Sequence, residues 1–245
     1  MSISRETLDR LAQFDTPTIC NVIELFEVRP QHCGFMDGRI RANFPHLPPM
    51  VGFACTSAFR SSAPPGKGDA YASVVDQIKT FPELPGPAVV VFQDLDDPAV
   101  GATFGEVMCS CYRAFGSAGL ITSGGGRDLD QVRALDYPVF TGSSICAHAH
   151  CHVLHVGLPV RVGSLVVNQG DLLHGDGNGV TSIPLEIASE IPDVATGLVA
   201  AEKLVLDYVR SEGEKNPEGL AEKIAMAGRE FARLREKVSR RLRGK

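Results

Sequence analysis

The sequence predicts a layered α/β domain with a mixed sheet or small barrel, followed by C-terminal helices. Three observations lead to this fold class. Helix and strand patterns alternate up to residue 141, short strand signals separated by turns follow between residues 152 and 184, and the remaining chain carries apolar residues at helical spacing. We therefore divide the 245 residues into an α/β core over residues 1–190 and a helical extension over residues 191–245.

The first half of the chain alternates between the two periodicities. Apolar residues three or four apart predict helices, and runs of β-branched and apolar residues predict strands. Thr16-Pro17 is typical of an N-cap followed by proline at the first helical position. The predicted helices are 4–13, 16–26, 69–81, 105–115 and 128–135, and the predicted strands are 51–59, 88–92, 119–123 and 138–141.

The second half contains short strands and then two helices. The predicted strands are 153–156, 160–162, 165–167, 171–174 and 179–184, and the predicted helices are 194–211 and 217–242. The last helix carries an apolar stripe, which has to pack against its own domain or against a neighbouring subunit. The stripe consists of Leu220, Ile224, Ala227, Phe231, Leu234, Val238 and Leu242.

Composition and charge exclude several classes of function. The formal charge is 24 − 29 = −5 and tryptophan is absent, so we do not expect a nucleic-acid binder. Residues 229–245 hold eight basic and two acidic residues, which leaves a net charge of −11 for the rest of the chain. We interpret this basic helix as a solvated face rather than an RNA or membrane contact.

No apolar run approaches the roughly 20 residues that a membrane span needs. Seven cysteines without a CxxC pair, and an N-terminus without a signal-peptide core, predict a cytoplasmic protein with reduced thiols.

The strongest candidate site combines Gly105-Glu106 with Arg127-Asp128. Glycines 124–126 let the backbone approach a ligand closely, and an arginine beside them can bind a carboxylate through two hydrogen bonds. The adjacent aspartate offers a hard oxygen ligand for a divalent metal, and a helix beginning at Gly105 presents N–H groups to an anion. These residues predict a site for a small carboxylate-bearing substrate; an N-capping aspartate beside an exposed arginine is the alternative.

A second candidate is the segment from Cys146 to His155, which contains four of the seven histidines. Strand alternation would place His148, His150 and His152 on one face. Zinc can use such ligands, but adjacent residues of one strand rarely close a tetrahedral site. The other interpretations are a substrate contact or proton donation by one histidine, and a partly buried polar strand face.

Other local patterns have simpler interpretations. The loop 63–69 does not match a phosphate-binding loop, and residues 174–179 lack the closing carboxylate of a calcium loop, so both are interpreted as turns. No lysine lies between Lys79 and Lys203, which disfavours Schiff-base chemistry and favours metal-assisted chemistry.

Motifs spread along the chain resemble one known family. They are Gly105-Glu106, a spacing of twenty residues and Arg127-Asp128, followed by Gly157-Leu-Pro-Val160, Gly170–Asp176 and Gly179–Pro184. Over about residues 7–190 the sequence resembles the RraA-like family, which includes the regulator of ribonuclease E activity and the 4-hydroxy-4-methyl-2-oxoglutarate aldolases.

The resemblance implies a fold, an activity and roles for individual residues. It implies a β/β/α swivelling-type core, a homotrimer or hexamer with active sites between subunits, and Mg²⁺- or Mn²⁺-dependent cleavage of 4-hydroxy-2-oxo diacids to pyruvate, with oxaloacetate decarboxylation. By this likeness Glu106, Arg127 and Asp128 would be catalytic, Arg127 would hold the pyruvoyl group and Asp128 would anchor the metal. The backbone from Gly105 through Glu106 and Val107 to Met108 would bind the substrate, a small 2-oxo acid.

Two features depart from the family pattern. The acidic residue of the motif is often aspartate in the aldolases and is Glu106 here, and residues 143–156 carry His and Cys where many members carry a basic stretch with Pro-Asp. The natural substrate therefore stays open. A metal-dependent C–C lyase is the favoured function; a non-catalytic regulator that binds a protein such as ribonuclease, and a zinc hydrolase built on the histidines, are the alternatives.

Overall fold

The computed structural model describes residues 3–67 and 72–243. Its elements confirm the predicted α/β class with a mixed sheet and C-terminal helices. The helices are α1 (Arg5–Leu11), α2 (Thr16–Phe26), α3 (Val74–Thr80), α4 (Glu106–Ala114), α5 (Leu129–Ala134), α6 (Ile191–Arg210) and α7 (Pro217–Arg243). The strands are β1 (Arg41–Ala42), β2 (Met50–Arg60), β3 (Ala88–Asp94), β4 (Ala102–Phe104), β5 (Gly119–Thr122), β6 (Gly125–Gly126), β7 (Val139–Thr141), β8 (Ser143–Ser144), β9 (His152–Val156), β10 (Val160–Val162), β11 (Leu165–Val167), β12 (Leu172–Asp176) and β13 (Gly179–Ile183).

The main sheet is mixed and has the order β1-β7-β5-β3-β2-β12-β13, with β9 also paired to β2. Strands β2, β3, β5 and β7 run parallel, while β1, β9, β12 and β13 are antiparallel to their neighbours. The carboxyl ends of the parallel strands therefore meet at one edge of the sheet. The small sheet β4-β6-β8, which is also parallel, is built from residues that follow these ends.

The central strands are buried on both faces, which explains their continuous apolar runs. Val90 and Phe92 of β3 belong to a core shared with α3, α4 and α5, whereas Val89 and Val91 face the β10–β11 hairpin. The same helical face continues over β12 and β13, where Phe53 and Leu172 pack with α1, α2 and α6. The molecule is thus layered as helices, sheet and hairpin.

The C-terminal helices pack on the rest of the chain. Helix α6 lies against α2, and α7 lies against both α2 and α6. Leu198 of α6 and Val238 of α7 are buried in the same core as α1 and α2. Glu190 is the N-cap of α6 and coincides with the predicted boundary, while the division into two domains stays a prediction. Within the described residues, no helix is long and apolar enough to cross a membrane.

The structure corrects the predicted N-cap of α2 and the predicted starts of α3 and α6, the last of which begins at Ile191 and not at residue 194. Helix α2 is capped by Asp15 and not by Thr16: Asp15 Oδ1 accepts the Thr18 N–H at 2.9 Å, while the Thr16 N–H donates to Asp176 Oδ2 at 2.8 Å. Helix α3 begins at Val74 instead of near residue 69, because Ser73 forms a reciprocal cap with Asp76. Residues 69–71 of that predicted helix, and residues 68–69 of the predicted loop, lie outside the described residues.

Four short strands, β1, β4, β6 and β8, were not predicted. Strands β1, β4 and β8 have two or three residues each, too few to display a periodicity. The glycine run 124–126, for which no secondary structure was predicted, contains β6, which pairs with β4 on one side and β8 on the other. This small sheet matters for function because Arg127 and Asp128 directly follow β6.

Candidate active site

A cavity of about 280 Å³ lies where β4 and β6 end and α4 and α5 begin. The structure therefore brings together the two halves of the predicted motif, which are twenty residues apart in the sequence. The lining residues are Ala102, Phe104, Gly105, Val107, Met108, Arg127, Asp128, His148 and Cys151.

The two halves of the motif are parallel strand-to-helix connections that lie side by side. The Arg127 N–H donates to the Phe104 carbonyl at 3.1 Å, which extends the pairing of β4 with β6 to the cavity. A Cβ at position 126 would lie 2.3 Å from the Phe104 ring, so glycine is needed for the strands to approach this closely. The sequence thus fixes Arg127 next to the start of α4.

The Asp128 carboxylate caps the neighbouring helix. Asp128 Oδ2 accepts the backbone N–H of Glu106, the first residue of α4, at 3.1 Å. Asp128 itself has φ 55°, a left-handed conformation uncommon for residues other than glycine, and its side chain makes no capping bond to α5. The N-capping alternative for Asp128 thus holds for α4 instead of α5, and it places a carboxylate in the cavity.

Arg127 lies beside this carboxylate and remains accessible. Its Nε is 3.8 Å from Asp128 Oδ2, and the two side chains are 35% and 39% exposed. A guanidinium in this position can bind a carboxylate with its other N–H groups. The guanidinium of Arg127 and the carboxylate of Asp128 therefore border the same cavity with opposite charges.

The start of α4 supplies backbone donors. The first intrahelical bond of this region runs from the Cys109 N–H to the Gly105 carbonyl at 3.1 Å, so the N–H groups of Val107 and Met108 precede it. Such N–H groups favour anionic ligands. The side chain of Glu106 is exposed and is not among the lining residues, and its catalytic role stays a prediction.

The strand predicted across His148, His150 and His152 is wrong. Strand β9 begins at His152, and Ala149 and Cys151 have left-handed φ values of 44° and 41°, which destroy the alternation. His148 and Cys151 line the cavity, whereas the His150 and His152 rings stack on each other with centroids 6.2 Å apart. The histidines therefore do not share one face.

The cysteines near the cavity hold their protons. Burial raises the pKa of the Cys151 thiol, and the nearby Arg127 guanidinium only partly opposes this effect. Burial, together with the Asp128 carboxylate, raises the pKa of Cys109, a buried residue of α4, to about 12. Because the thiolate is the reactive species, these residues do not favour nucleophilic cysteine chemistry.

The donor set suits a hydrated oxygen-liganded cation better than zinc. Within the described residues, no group of three or more His, Cys, Asp or Glu side chains is arranged to hold a metal ion. The carboxylate of the cavity is that of Asp128. Mg²⁺ commonly keeps several waters and takes one or two carboxylates plus substrate oxygens, whereas zinc takes three or four protein ligands.

A second cavity, which none of the sequence motifs indicated, has a volume of about 430 Å³ and lies at the end of β3. It is bordered by Asp94, and Asp94 Oδ2 is buried without a hydrogen-bond partner among the residues that the structure describes. Burial raises the pKa of this carboxyl to about 6. A Cβ at Gly124 would lie 2.4 Å from Asp94 Oδ2, so Asp94 packs on the backbone that leads to Arg127. The signal in the sequence was an acidic residue directly after a buried strand.

Comparison with known sequences identifies the family. The sequence profile of the RraA-like family, described as Aldolase/RraA, matches residues 16–181. The chain belongs to the RraA-like family. The resemblance inferred from the Gly105-Glu106 and Arg127-Asp128 motifs is thus confirmed.

One curated relative of this RraA-like protein carries the name of an activity. A protein of Halalkalibacterium halodurans named "Putative 4-hydroxy-4-methyl-2-oxoglutarate aldolase" is 31% identical over 101 residues, which are 41% of this chain and 47% of that protein. The chain spans less than half of the length of each of three curated relatives that it matches.

Solved structures support the fold. An uncharacterised protein from Pseudomonas syringae pv. tomato has a TM-score of 0.71 at 20% identity, covering 92% of this chain and 95% of that one. RraAS2 from Streptomyces coelicolor, described as an unusual member of the RNase ES inhibitor RraA protein family, has a TM-score of 0.66 at 21% identity, covering 83% of this chain and 96% of that one. At these identities the likeness establishes the RraA-like fold alone.

Proposed function

We propose that this RraA-like protein is a divalent-metal-dependent C–C lyase that cleaves 4-hydroxy-2-oxo acids to pyruvate. The observation that carries the proposal is the convergence of Arg127, Asp128 and the first N–H groups of α4 on one cavity. The name of the Halalkalibacterium halodurans relative supports the same reaction.

The chain's own residues would bind and orient the substrate. The Arg127 guanidinium would hold the carboxylate of the 2-oxo acid, and the N–H groups of Val107 and Met108 would donate to its oxygens. Asp128 would hold Mg²⁺ or Mn²⁺ through its carboxylate. When bound there, the cation supplies positive charge that stabilises the enolate formed as the C–C bond breaks.

Lysine chemistry does not fit this cavity. None of the lining residues is a lysine, so a Schiff base with the 2-oxo group has no candidate amine there. Retro-aldol cleavage and decarboxylation of oxaloacetate both pass through the enolate of pyruvate. We therefore expect both activities at this site, the first as the main reaction.

We further propose that the protein forms a homotrimer or hexamer and works in the cytoplasm on a small molecule, without nucleic acid or membrane. Assembly is supported by apolar side chains that α6 and α7 leave exposed, among them Leu206 at 39% and Ile224 at 54%. The cytoplasmic proposal rests on the odd number of cysteines, all of which are free thiols. A monomeric mass by light scattering at micromolar concentration would contradict the assembly.

A pyruvate assay coupled to lactate dehydrogenase tests the function. Purified protein would receive 4-hydroxy-4-methyl-2-oxoglutarate or oxaloacetate, with Mg²⁺ or Mn²⁺ and then with excess chelator. We expect pyruvate release that the chelator abolishes and added metal restores. No pyruvate from either substrate would overturn the lyase proposal.

The alternative is a regulator that binds a protein partner. Its support is the acidic charge of the chain outside the basic tail and the inhibitor family named for the Streptomyces coelicolor structure. A regulator needs neither a divalent metal nor pyruvate release, so the same assay separates the two functions.

A further inference from the structure

His148 is the histidine that borders the cavity of Arg127 and Asp128. All seven histidines lie within the described residues, and the others are absent from the lining of this cavity. His150 and His152 stack on each other instead. A single imidazole therefore faces the place where the proposed substrate binds.

The hydrogen bond of His148 defines which ring nitrogen is available. His148 Nδ1 lies 2.7 Å from the Ala149 carbonyl oxygen. A carbonyl oxygen accepts hydrogen bonds and donates none, so Nδ1 carries the hydrogen. In the neutral ring Nε2 is then unprotonated, which leaves its lone pair for a ligand.

Backbone hydrogen bonds to other segments of the chain fix the residues on both sides of His148. The Ala102 N–H donates to the Ala147 carbonyl at 2.7 Å, and the His150 N–H donates to the Ser61 carbonyl at 3.1 Å. Between these bonds Ala149 adopts φ 44°, a conformation that is unfavourable for a residue with a Cβ and persists where the surroundings enforce it. Strain of this kind is often found at functional sites.

The other polar groups of the cavity are poor candidates for a base. Asp128 Oδ2 already accepts the Glu106 N–H and lies near the Arg127 guanidinium. The pKa of the Cys151 thiol is raised by burial, so this group keeps its proton. The remaining side chains of the lining are apolar or are the guanidinium itself.

We propose that His148 Nε2 is the base for the retro-aldol step; this inference rests on the proposed function. The proton of the substrate's C4 hydroxyl moves to Nε2, the C4–O bond becomes a carbonyl, and the C3–C4 bond breaks. Its electron pair stays on C3 as the enolate of pyruvate, which then takes a proton at C3 from the His148 imidazolium. No oxidant or reductant is required, and His148 returns to its neutral form.

The assignment predicts that the two lyase activities depend differently on His148. Oxaloacetate has no C4 hydroxyl, because its C4 is the carboxylate that leaves as carbon dioxide. A neutral His148 also has no proton on Nε2 to give, so the enolate from decarboxylation takes its proton from water. His148 is therefore needed for retro-aldol cleavage and dispensable for decarboxylation.

The test compares His148→Asn with His150→Asn. In His148→Asn the new side-chain amide can still donate to the Ala149 carbonyl, so the backbone of the segment should keep its shape while Nε2 is lost. His150 is the matched control because it lies two residues away and does not line the cavity. Turnover is measured with 4-hydroxy-4-methyl-2-oxoglutarate and with oxaloacetate in Mg²⁺, and circular dichroism checks the fold.

We expect His148→Asn to slow retro-aldol cleavage by about 100-fold or more, the usual contribution of a general base, and to leave oxaloacetate decarboxylation within about threefold. His150→Asn should leave both rates unchanged. Equal loss of both activities in His148→Asn would assign the residue to shaping the site, and no loss would place the base elsewhere; either result overturns the proposal. A wild-type protein that releases pyruvate from neither substrate overturns the proposed function itself, and this inference with it.

Discussion

Asp128 Oδ2 accepts a hydrogen bond from the backbone N–H of Glu106, across 22 positions of the sequence. The carboxylate that we propose as the metal ligand therefore also accepts a hydrogen bond from the start of α4, the helix whose first N–H groups we propose to bind the substrate. Gly105 allows this arrangement, since a Cβ there would lie 2.5 Å from Asp128 Oδ2 and 3.1 Å from Arg127 Nε. The absence of a side chain at Gly105 thus allows the Arg127 and Asp128 side chains to pack against the start of α4.

We expect Gly105→Ala to lower the rate of pyruvate release while the protein still folds. The new methyl group meets side-chain atoms of Arg127 and Asp128, which can rotate away, so the main-chain structure should survive. A displacement of about 1 Å at a reacting group can cost roughly 100-fold in rate, and we expect a loss of this order in pyruvate release.

Gly228→Ala is the control for that substitution. A Cβ at Gly228 would meet nothing within 4 Å, and the residue lies inside α7. Alanine favours a helix over glycine by roughly 0.5–1 kcal/mol, so thermal unfolding should shift upward while activity stays the same. Unchanged activity in Gly105→Ala would mean that the Asp128 carboxylate need not lie where the structure has it.

Arg127→Lys should weaken substrate binding without removing the positive charge. Lysine cannot bind a carboxylate through a planar pair of N–H groups. Loss of one charge-assisted hydrogen bond costs about 1.5–3 kcal/mol, which corresponds to a drop in kcat/KM of roughly 10- to 150-fold. Metal affinity, measured by titration, should stay near the wild-type value.

Arg133→Lys provides the comparison for Arg127. Arg133 is exposed on α5 and pairs with Asp130 on the same helix, away from the cavity. Its replacement should leave kcat/KM unchanged. If the two lysine variants behaved alike, Arg127 would not be the substrate anchor.

Asp94→Asn should remove a pH dependence of stability. Burial raises the pKa of Asp94 to about 6 in the folded protein, so between about pH 4 and 6 the folded state binds more protons than the unfolded state. Stability due to this group is therefore present at low pH and is lost as pH rises toward 6. The variant should exceed the wild type in stability at about pH 7.5 and lose this advantage at about pH 4.5, as measured by urea denaturation.

Asp96→Asn should have the opposite effect. Burial raises the pKa of Asp96, but hydrogen bonds from Ser62 and Ser61 outweigh it and lower the value overall. Its charged form thus stabilises the folded state above the usual carboxyl pKa, and the substitution should destabilise the protein at about pH 7.5. Equal behaviour of the two variants would show that the unpartnered Asp94 Oδ2 carries no electrostatic cost.

The sequence predicted the parts of this fold that depend on local periodicity. Helix α2 and strand β3 lie where their apolar patterns place them, because burial of one face or both faces imposes those patterns. Strands β4 and β6 could not be found in this way. They are stabilised by pairing with each other, between residues more than twenty positions apart in the sequence. The two glycines of β6 also lack side chains, so they cannot show the hydrophobic alternation of a strand.

The sequence predicted that Gly105, Arg127 and Asp128 lie close together, but it did not predict every residue that lines the cavity around them. Arg127 and Asp128 have side chains with recognisable chemistry, so their meeting with Gly105 could be inferred. His148, which lines the cavity, precedes the left-handed Ala149, and an alanine in the sequence does not predict that conformation. Asp15 and Thr16 are both common N-caps, and the choice between them depends on the distant Asp176.

Pyruvate release by Asp128→Asn tests the central claim most directly. The amide oxygen that this substitution introduces can still accept the Glu106 N–H, so the helix cap and the fold should persist while the charge that holds a divalent cation is lost. We predict that turnover falls by roughly two to three orders of magnitude and that metal binding by titration is lost in parallel. Full activity in Asp128→Asn, undiminished by chelator, would contradict the metal-dependent lyase mechanism even though the chain belongs to the RraA-like family.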